Sequence, residues 1–201
     1  MLELLTGSGL AVAAGLNAYI PLLALGLLSR FTDLVQLPGG WTWLEHPASL
    51  IILAILLAIE VVADKIPAVD SVNDAIQTVI RPAAGGMVFA AGSGSQTIAI
   101  EDPATIFQTG AWVPIALGVF LALTTHTAKA IGRPIVNVST AGAGGPVVST
   151  AEDVSSAALV GVSVFLPLLV ALVLVVLIVG VIWLVLKWRE HGRRPTSSSI
   201  Y

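Results

Sequence analysis

Cysteine is absent, and charge is scarce: Lys, Arg, Asp and Glu together make only 10% of the 201 residues. Without thiols there is no disulfide framework and no thiolate metal site. Soluble domains carry roughly 25% charged residues, so a chain this poor in charge has too little polar surface to cover itself in water. The motifs of soluble enzymes are missing as well. There is no Walker loop, no Gly-x-Ser-x-Gly and no His-Glu-x-x-His, and Gly7-x-Gly9 is too short to cradle a nucleotide. The start, Met1-Leu2-Glu3, lacks the basic stretch of a signal peptide, so the apolar run behind it reads as a retained span.

What the chain has in quantity is hydrocarbon: 56% of its residues are hydrophobic and the mean hydropathy is +0.96. A bilayer can accept so much apolar surface, and the reading is an all-α integral membrane protein whose first partner is lipid. Lys187, Arg189, Arg193 and Arg194 follow the last apolar run. Basic residues beside a span favour the cytoplasmic side, which places the C-terminus inside a cell (inner) membrane. Four charges there do not require a nucleic acid, and none is expected.

The apolar runs fall into six segments. Segment A covers residues 5–28 and contains Asn17, Tyr19 and Pro21, so one of its faces should meet protein or a polar cavity. Segment B covers 48–63 and stops at Ile66-Pro67. Segment C, 70–92, is too polar to face lipid along its length. After a loop at 93–110 with Glu101 and Asp102 come B′ (111–130), the Gly- and Ser-rich C′ (135–150) and A′ (157–186), an almost uninterrupted span. Trp41, Trp43, Trp112, Trp183 and Trp188 all stand at segment ends, where the membrane interface holds amphipathic rings. Residues 1–190 then form one transmembrane domain, and 191–201 a polar, disordered cytoplasmic tail.

The segments resemble one another in pairs. Gly15-Leu16-Asn17-Ala18-Tyr19-Ile20-Pro21-Leu22-Leu23 in A aligns with Gly161-Val162-Ser163-Val164-Phe165-Leu166-Pro167-Leu168-Leu169 in A′. Ala84-Gly85-Gly86-Met87-Val88 in C aligns with Ala143-Gly144-Gly145-Pro146-Val147 in C′, and Lys65 and Lys129 follow B and B′ at equal spacing. The expected architecture is four full transmembrane helices (A, B, B′, A′) plus two broken or re-entrant segments (C, C′). They make a weak inverted repeat with halves at about 5–92 and 111–188 and both termini cytoplasmic. Six spans are the alternative, favoured by charge: it sets Lys65, Lys129 and Arg133 inside and Glu101, Asp102, Glu152 and Asp153 outside.

An ionisable side chain at the bilayer centre costs roughly 2.5–3.5 kcal/mol on insertion scales, so such groups mark function or pairing. Glu60 and Asp64 are one helical turn apart, and so are Asp70 and Asp74 beyond the Pro67 break. The candidate solute path is Asn17, Glu60, Asp64 and His126 with the Gly85-Gly86 and Gly144-Gly145 elements, where glycine could expose backbone groups. Lys65, Arg81 and Lys129 are candidate charge partners. Helix packing and structural salt bridges explain the same residues equally well. Asp64, Asp70 and Asp74 are the only metal candidates, no cofactor is expected, and no catalytic residue stands out.

Gly15-Leu16-Asn17-Ala18-Tyr19, Glu60-x-x-x-Asp64-Lys65-x-Pro67-x-x-Asp70 and Arg81-Pro82-Ala83-Ala84-Gly85 together resemble an uncharacterised bacterial family of small multi-spanning membrane proteins, domain of unknown function 4126. The resemblance extends over about residues 5–190. It implies a bacterial membrane location and brings no activity with it. The functional expectation from the residues is a transporter or channel-like protein for an ion or small solute, working as a homodimer or larger. The alternatives are an intramembrane metal-dependent enzyme acting on a lipid phosphate and a non-catalytic scaffold.

Overall fold

A computed structural model describes residues 1–94, 112–141 and 143–191; the expected loop at 93–110 and the tail lie almost wholly outside them. Among the described residues every regular element is helical. The order is α1 (Leu2–Leu16), α2 (Tyr19–Phe31), a 3-10 helix (Gly39–Glu45), α3 (Pro47–Ala63), α4 (Pro67–Gly92), α5 (Trp112–Ser139), α6 (Gly145–Phe165) and α7 (Pro167–His191).

Segment A does not cross as one helix. Asn17 is extended (φ −144°, ψ 122°), and its side-chain oxygen accepts from the amides of Tyr19 and Ile20 at 3.0 and 3.1 Å. Those two bonds satisfy donors that the first turn of α2 would otherwise leave bare. The chain therefore doubles back. Leu2, Glu3 and Thr6 of α1 share a cavity of about 470 Å³ with Leu25, Asp33, Gly92 and Gly94, so both limbs of the hairpin reach the same end of the bundle. Fifteen residues span about 22 Å, short of the roughly 30 Å hydrocarbon core. Asn17 and Ala18, fully buried, form the tip.

From that cavity end α3, α4, α5 and α6 run alternately back and forth. His46 caps α3 by accepting from the Ala48 amide at 3.3 Å, and Pro47 supplies a first turn that needs no donor. The 3-10 helix and α3, bent by 65°, are long and apolar enough together to cross a membrane as one broken span. Pro67 starts α4 as the sequence leads one to expect. Segment C, however, is not broken: it is one 26-residue helix with Pro82 inside it. Proline there costs one backbone bond without severing a helix held by packing on both sides.

C′ does contain a break, between the end of α5 at Ser139 and the start of α6 at Gly145. A′ is also interrupted: Pro167 cannot donate to the turn before it, and Leu166 leaves the helical region (φ −138°, ψ 55°). Among the described residues α5 and α6 are each long and apolar enough to span a membrane, while α1, α2 and the apolar part of α7 are shorter.

Small residues set the closest crossings. A Cβ at Gly85 would meet the Gly118 carbonyl oxygen at 2.7 Å, and one at Gly118 would meet the Phe89 Cβ at 2.5 Å, so α4 and α5 touch backbone to backbone. On the other side α1 and α6 pack antiparallel. Gly9 lies against Ser163, and the buried Ser156 hydroxyl donates to the Ala13 carbonyl at 3.0 Å. Leu10, Leu22, Leu25, Leu44, Leu53 and Val88 fill the interior. The outer faces are apolar too: Ile51, Ile59, Phe120, Leu168, Leu172 and Val176 are each more than half exposed. Apolar outside and charged inside is the pattern of a membrane protein.

Gly118→Val should therefore lower stability by about 1–3 kcal/mol through overpacking. Gly132, whose Cβ would meet nothing within 4 Å, should accept alanine with a gain of about 0.5–1 kcal/mol. Thermal unfolding of both variants in one detergent measures the difference.

A buried charge cluster

Three helices present charged residues at helical spacing on their inward faces. From α3 come Glu60 and Asp64, from α4 Asp74, Gln77 and Arg81, from α5 His126, Lys129 and Arg133. The start of α6 adds Glu152 and Asp153, and Asn17 at the hairpin tip closes the group. All of it lies toward the end opposite the cavity.

At the deepest point Arg81 Nη2 donates to Glu60 Oε1 at 2.9 Å, with side chains 0% and 1% exposed. Asp64 is the hub. Its Oδ2 lies 3.1 Å from Arg133, 3.7 Å from Lys129 and 3.8 Å from Arg81, while Asn73 donates to Oδ1 at 2.7 Å. Arg133 also grips Glu152 with two nitrogens, at 2.5 and 3.3 Å, the fork geometry that suits a guanidinium to carboxylate. Lys129 contacts Glu152 at 2.9 Å and donates to the Leu16 carbonyl at 3.3 Å, an acceptor left bare because α1 stops there. Exposure rises outward through Glu152 (12%), Asp153 (17%) and Asp74 (21%) to Lys65 (37%), which lies 3.8 Å from Asp153. The cluster is sealed inside and opens at one rim.

His126 sits between two fixed partners. Its Nδ1 is 3.2 Å from Arg81 Nη1, which can only donate, so Nδ1 must accept. The proton then belongs on Nε2, which donates to Thr78 Oγ1 at 3.1 Å, and that hydroxyl donates onward to the Asp74 carbonyl at 2.9 Å. The partners assign a neutral imidazole with its tautomer set.

The structure brings together Asn17, Glu60, Asp64, His126, Lys65, Arg81 and Lys129, all of them candidates from the sequence. It does not bring the glycines there. Gly85 and Gly86 pack on Gly118, Ile115 and Val119 of α5, and Gly144 and Gly145 lie at the α5–α6 turn against Thr140, Val136 and Asn137. Among the described residues no three His, Asp or Glu side chains converge as metal ligands. Asp64 and Asp74 turn their oxygens to Arg133 and Lys129, and the Asp70 side chain lies outside the described atoms.

Arg133, Glu152 and Asp153 escaped the sequence reading as members of the site. Arg133 stands seven residues after His126 and four after Lys129, on one helix face, a signal that was legible. The six-span alternative sets Glu152 and Asp153 across the membrane from Lys129 and Lys65, yet they pair with the basic residues, so the charge bias toward six spans loses two of its four acids.

Asn17 both caps α2 and donates to Asp153 Oδ1 at 2.9 Å. Asn17→Ala should cost about 1–2 kcal/mol, the usual value of a lost cap. Asn17→Asp keeps the capping acceptor but sets a second carboxylate against Asp153, and should unfold at a lower temperature than the alanine variant.

Comparison with protein-family models adds one finding. No curated protein and no solved structure matches the chain. One family model, described as a domain of unknown function (DUF4126), matches residues 4–187, which takes in every helix of the cluster. The chain therefore belongs to the family of domain of unknown function 4126.

Proposed function

We propose that this protein is a small membrane transporter or channel-like protein moving an ion or small solute along a polar path lined by Asn17, Glu60, Asp64 and His126. The observation that supports it is the position of the α1–α2 tip. A break in a helix buried among apolar helices is tolerated where protein or a polar cavity satisfies the backbone, and here the freed Leu16 carbonyl and Asn17 turn toward the charge cluster. Half-helices that end beside a charged site are the arrangement of many secondary transporters. The ion pairs hold the described conformation shut, and passage requires carboxylates to exchange partners.

The repeat enters the same reading. Gly15–Leu23 and Gly161–Leu169 both contain a helix break, but Asn17 aligns with Ser163 and Leu166 with Ile20, so the breaks fall at different positions of the repeat and do not speak for kinship. The unbroken α4 against the break in C′ weighs against it. A chain this small encloses little path alone, so a homodimer or larger assembly in a cell (inner) membrane belongs to the proposal.

One observation favours the scaffold reading. Glu60 and Asp64 each have a basic group within 4 Å, as charges kept only for structure would. Flux separates the two. In proteoliposomes loaded with pH-, Na⁺- or K⁺-sensitive dyes, wild-type protein should collapse one imposed gradient, and Glu60→Gln should insert and unfold like wild type but leave the gradient standing. Equal, background-level leakage through both proteins would overturn transport in favour of the scaffold. Sidedness has its own test. Leu2 and Glu3 lie beside Gly92 and Gly94, so reporters at the N-terminus and in the loop at 93–110 should report the same side of the membrane.

A further inference from the structure

Among the described residues the cluster has one carboxylate too many. Glu60, Asp64, Asp74, Glu152 and Asp153 face Lys65, Arg81, Lys129 and Arg133, five acids against four cations, and His126 is neutral by its hydrogen bonds. Setting aside the Lys65–Asp153 pair at the rim leaves four against three. In water the excess would go unnoticed. Buried among apolar helices, a leftover carboxylate is neutralised by taking up a proton or a cation.

The contacts indicate which acid that is. Asp64 meets three cations and Asn73, Glu152 is gripped by Arg133 and Lys129, Asp153 is held by Asn17 and Lys65, and Asp74 lies 3.4 Å from Arg133. Glu60 has a single cation in contact, on Oε1, and its Oε2 is buried without a hydrogen-bond partner. Three further polar atoms on the inward face of α4 are buried without a hydrogen-bond partner: Gln77 Oε1, Arg81 Nε and Asp74 Oδ1. Gln77 and Arg81 are 2% and 0% exposed. They share one face of α4 with Asp74, at i, i+3 and i+7. Three acceptors and one donor are the complement of a hydroxyl-bearing group and an internal water, which satisfies about three such atoms at once. A metal cation suits the place poorly, because the Arg81 guanidinium already touches Glu60. A proton needs only the one free oxygen.

We infer that Glu60 holds an exchangeable proton on Oε2, in a buried polar site completed by Gln77, Arg81 and Asp74, and that this proton is the coupling species of the transport reading, on which that last role rests. Glu60 faces Arg81 from α4, Tyr19 from α2, Lys129 from α5 and Asp64 at the end of its own helix; Gln77 adjoins Tyr19, and His126 and Asp74 lie on Arg81 at 3.2 and 4.0 Å. In the transfer the Glu60 Oε2–H bond breaks and the proton passes to water. That water forms the new O–H bond with Asp74 Oδ1 by giving up one of its own protons, and no electrons change hands. Asp74, 21% exposed, opens the way to the rim.

Infrared spectroscopy of the full chain in lipid, in H₂O and D₂O, tests the site without relying on a variant. Wild type should show the C=O stretch of a protonated carboxyl at neutral pH, shifted by deuterium. It should move when the protein is made with carboxyl-¹³C glutamate and stay put with carboxyl-¹³C aspartate. Glu60→Gln should abolish the band, and Asp74→Asn should retain it while slowing its H/D exchange. Absence of the band at neutral pH, or a band that follows aspartate labelling, overturns the inference. Flux of Na⁺, K⁺ or another solute with no such band overturns it while the transport reading stands. The band without any flux keeps the proton on Glu60 and removes its coupling role together with that reading.

Discussion

Charge inside an apolar bundle has to be balanced on the spot, and that constraint organises this molecule. Asp64 alone draws Arg81, Lys129 and Arg133 to one oxygen, which ties α3, α4 and α5 together at a single point. Removing a partner from such a buried set leaves a charge that solvent cannot reach, so any register that separates these groups is disfavoured. The crossings agree with that register. Gly85 on Gly118 and Gly9 on Ser163 let backbones close in, and close approach brings short-armed carboxylates such as Asp64 within reach of neighbouring helices.

The hairpin of α1 and α2 is a consequence of the same site. A straight helix through Asn17 would leave the Leu16 carbonyl bonded within its own turn and the Asn17 amide group without a structural task. Ending α1 there hands the carbonyl to Lys129, the side-chain oxygen to two amides of α2, and the side-chain nitrogen to Asp153. One residue thereby terminates a helix, begins the next and docks α6. The break is favourable because every group it frees finds a partner.

Much of the site was legible beforehand. Glu60, Asp64, Arg81, Lys129 and Asn17 stand out in a chain with so few polar residues, and hydrocarbon surroundings make each of them costly enough to need a reason. Arg133 is legible by its spacing from Lys129, but it stands between the apolar segments B′ and C′, where a basic residue reads as an interfacial one. The glycines pointed to packing and to a path alike, and only the neighbours of a Cβ at Gly85 show packing there.

Composition and the spacing of apolar runs determined by themselves that this is a helical, membrane-type chain. They also marked the charges within the apolar runs as groups that need a partner or a task, and set a proline break before α4. Those features follow from local chemistry and from the scarcity of polar atoms. Tertiary structure decided that A is a hairpin and C an unbroken helix, that Glu152 and Asp153 pair with the basic residues, and that His126 is held neutral. Each of these depends on which groups meet across residues far apart in the chain, such as Asn17 and Asp153, and an apolar sequence with little variety holds almost no record of those meetings.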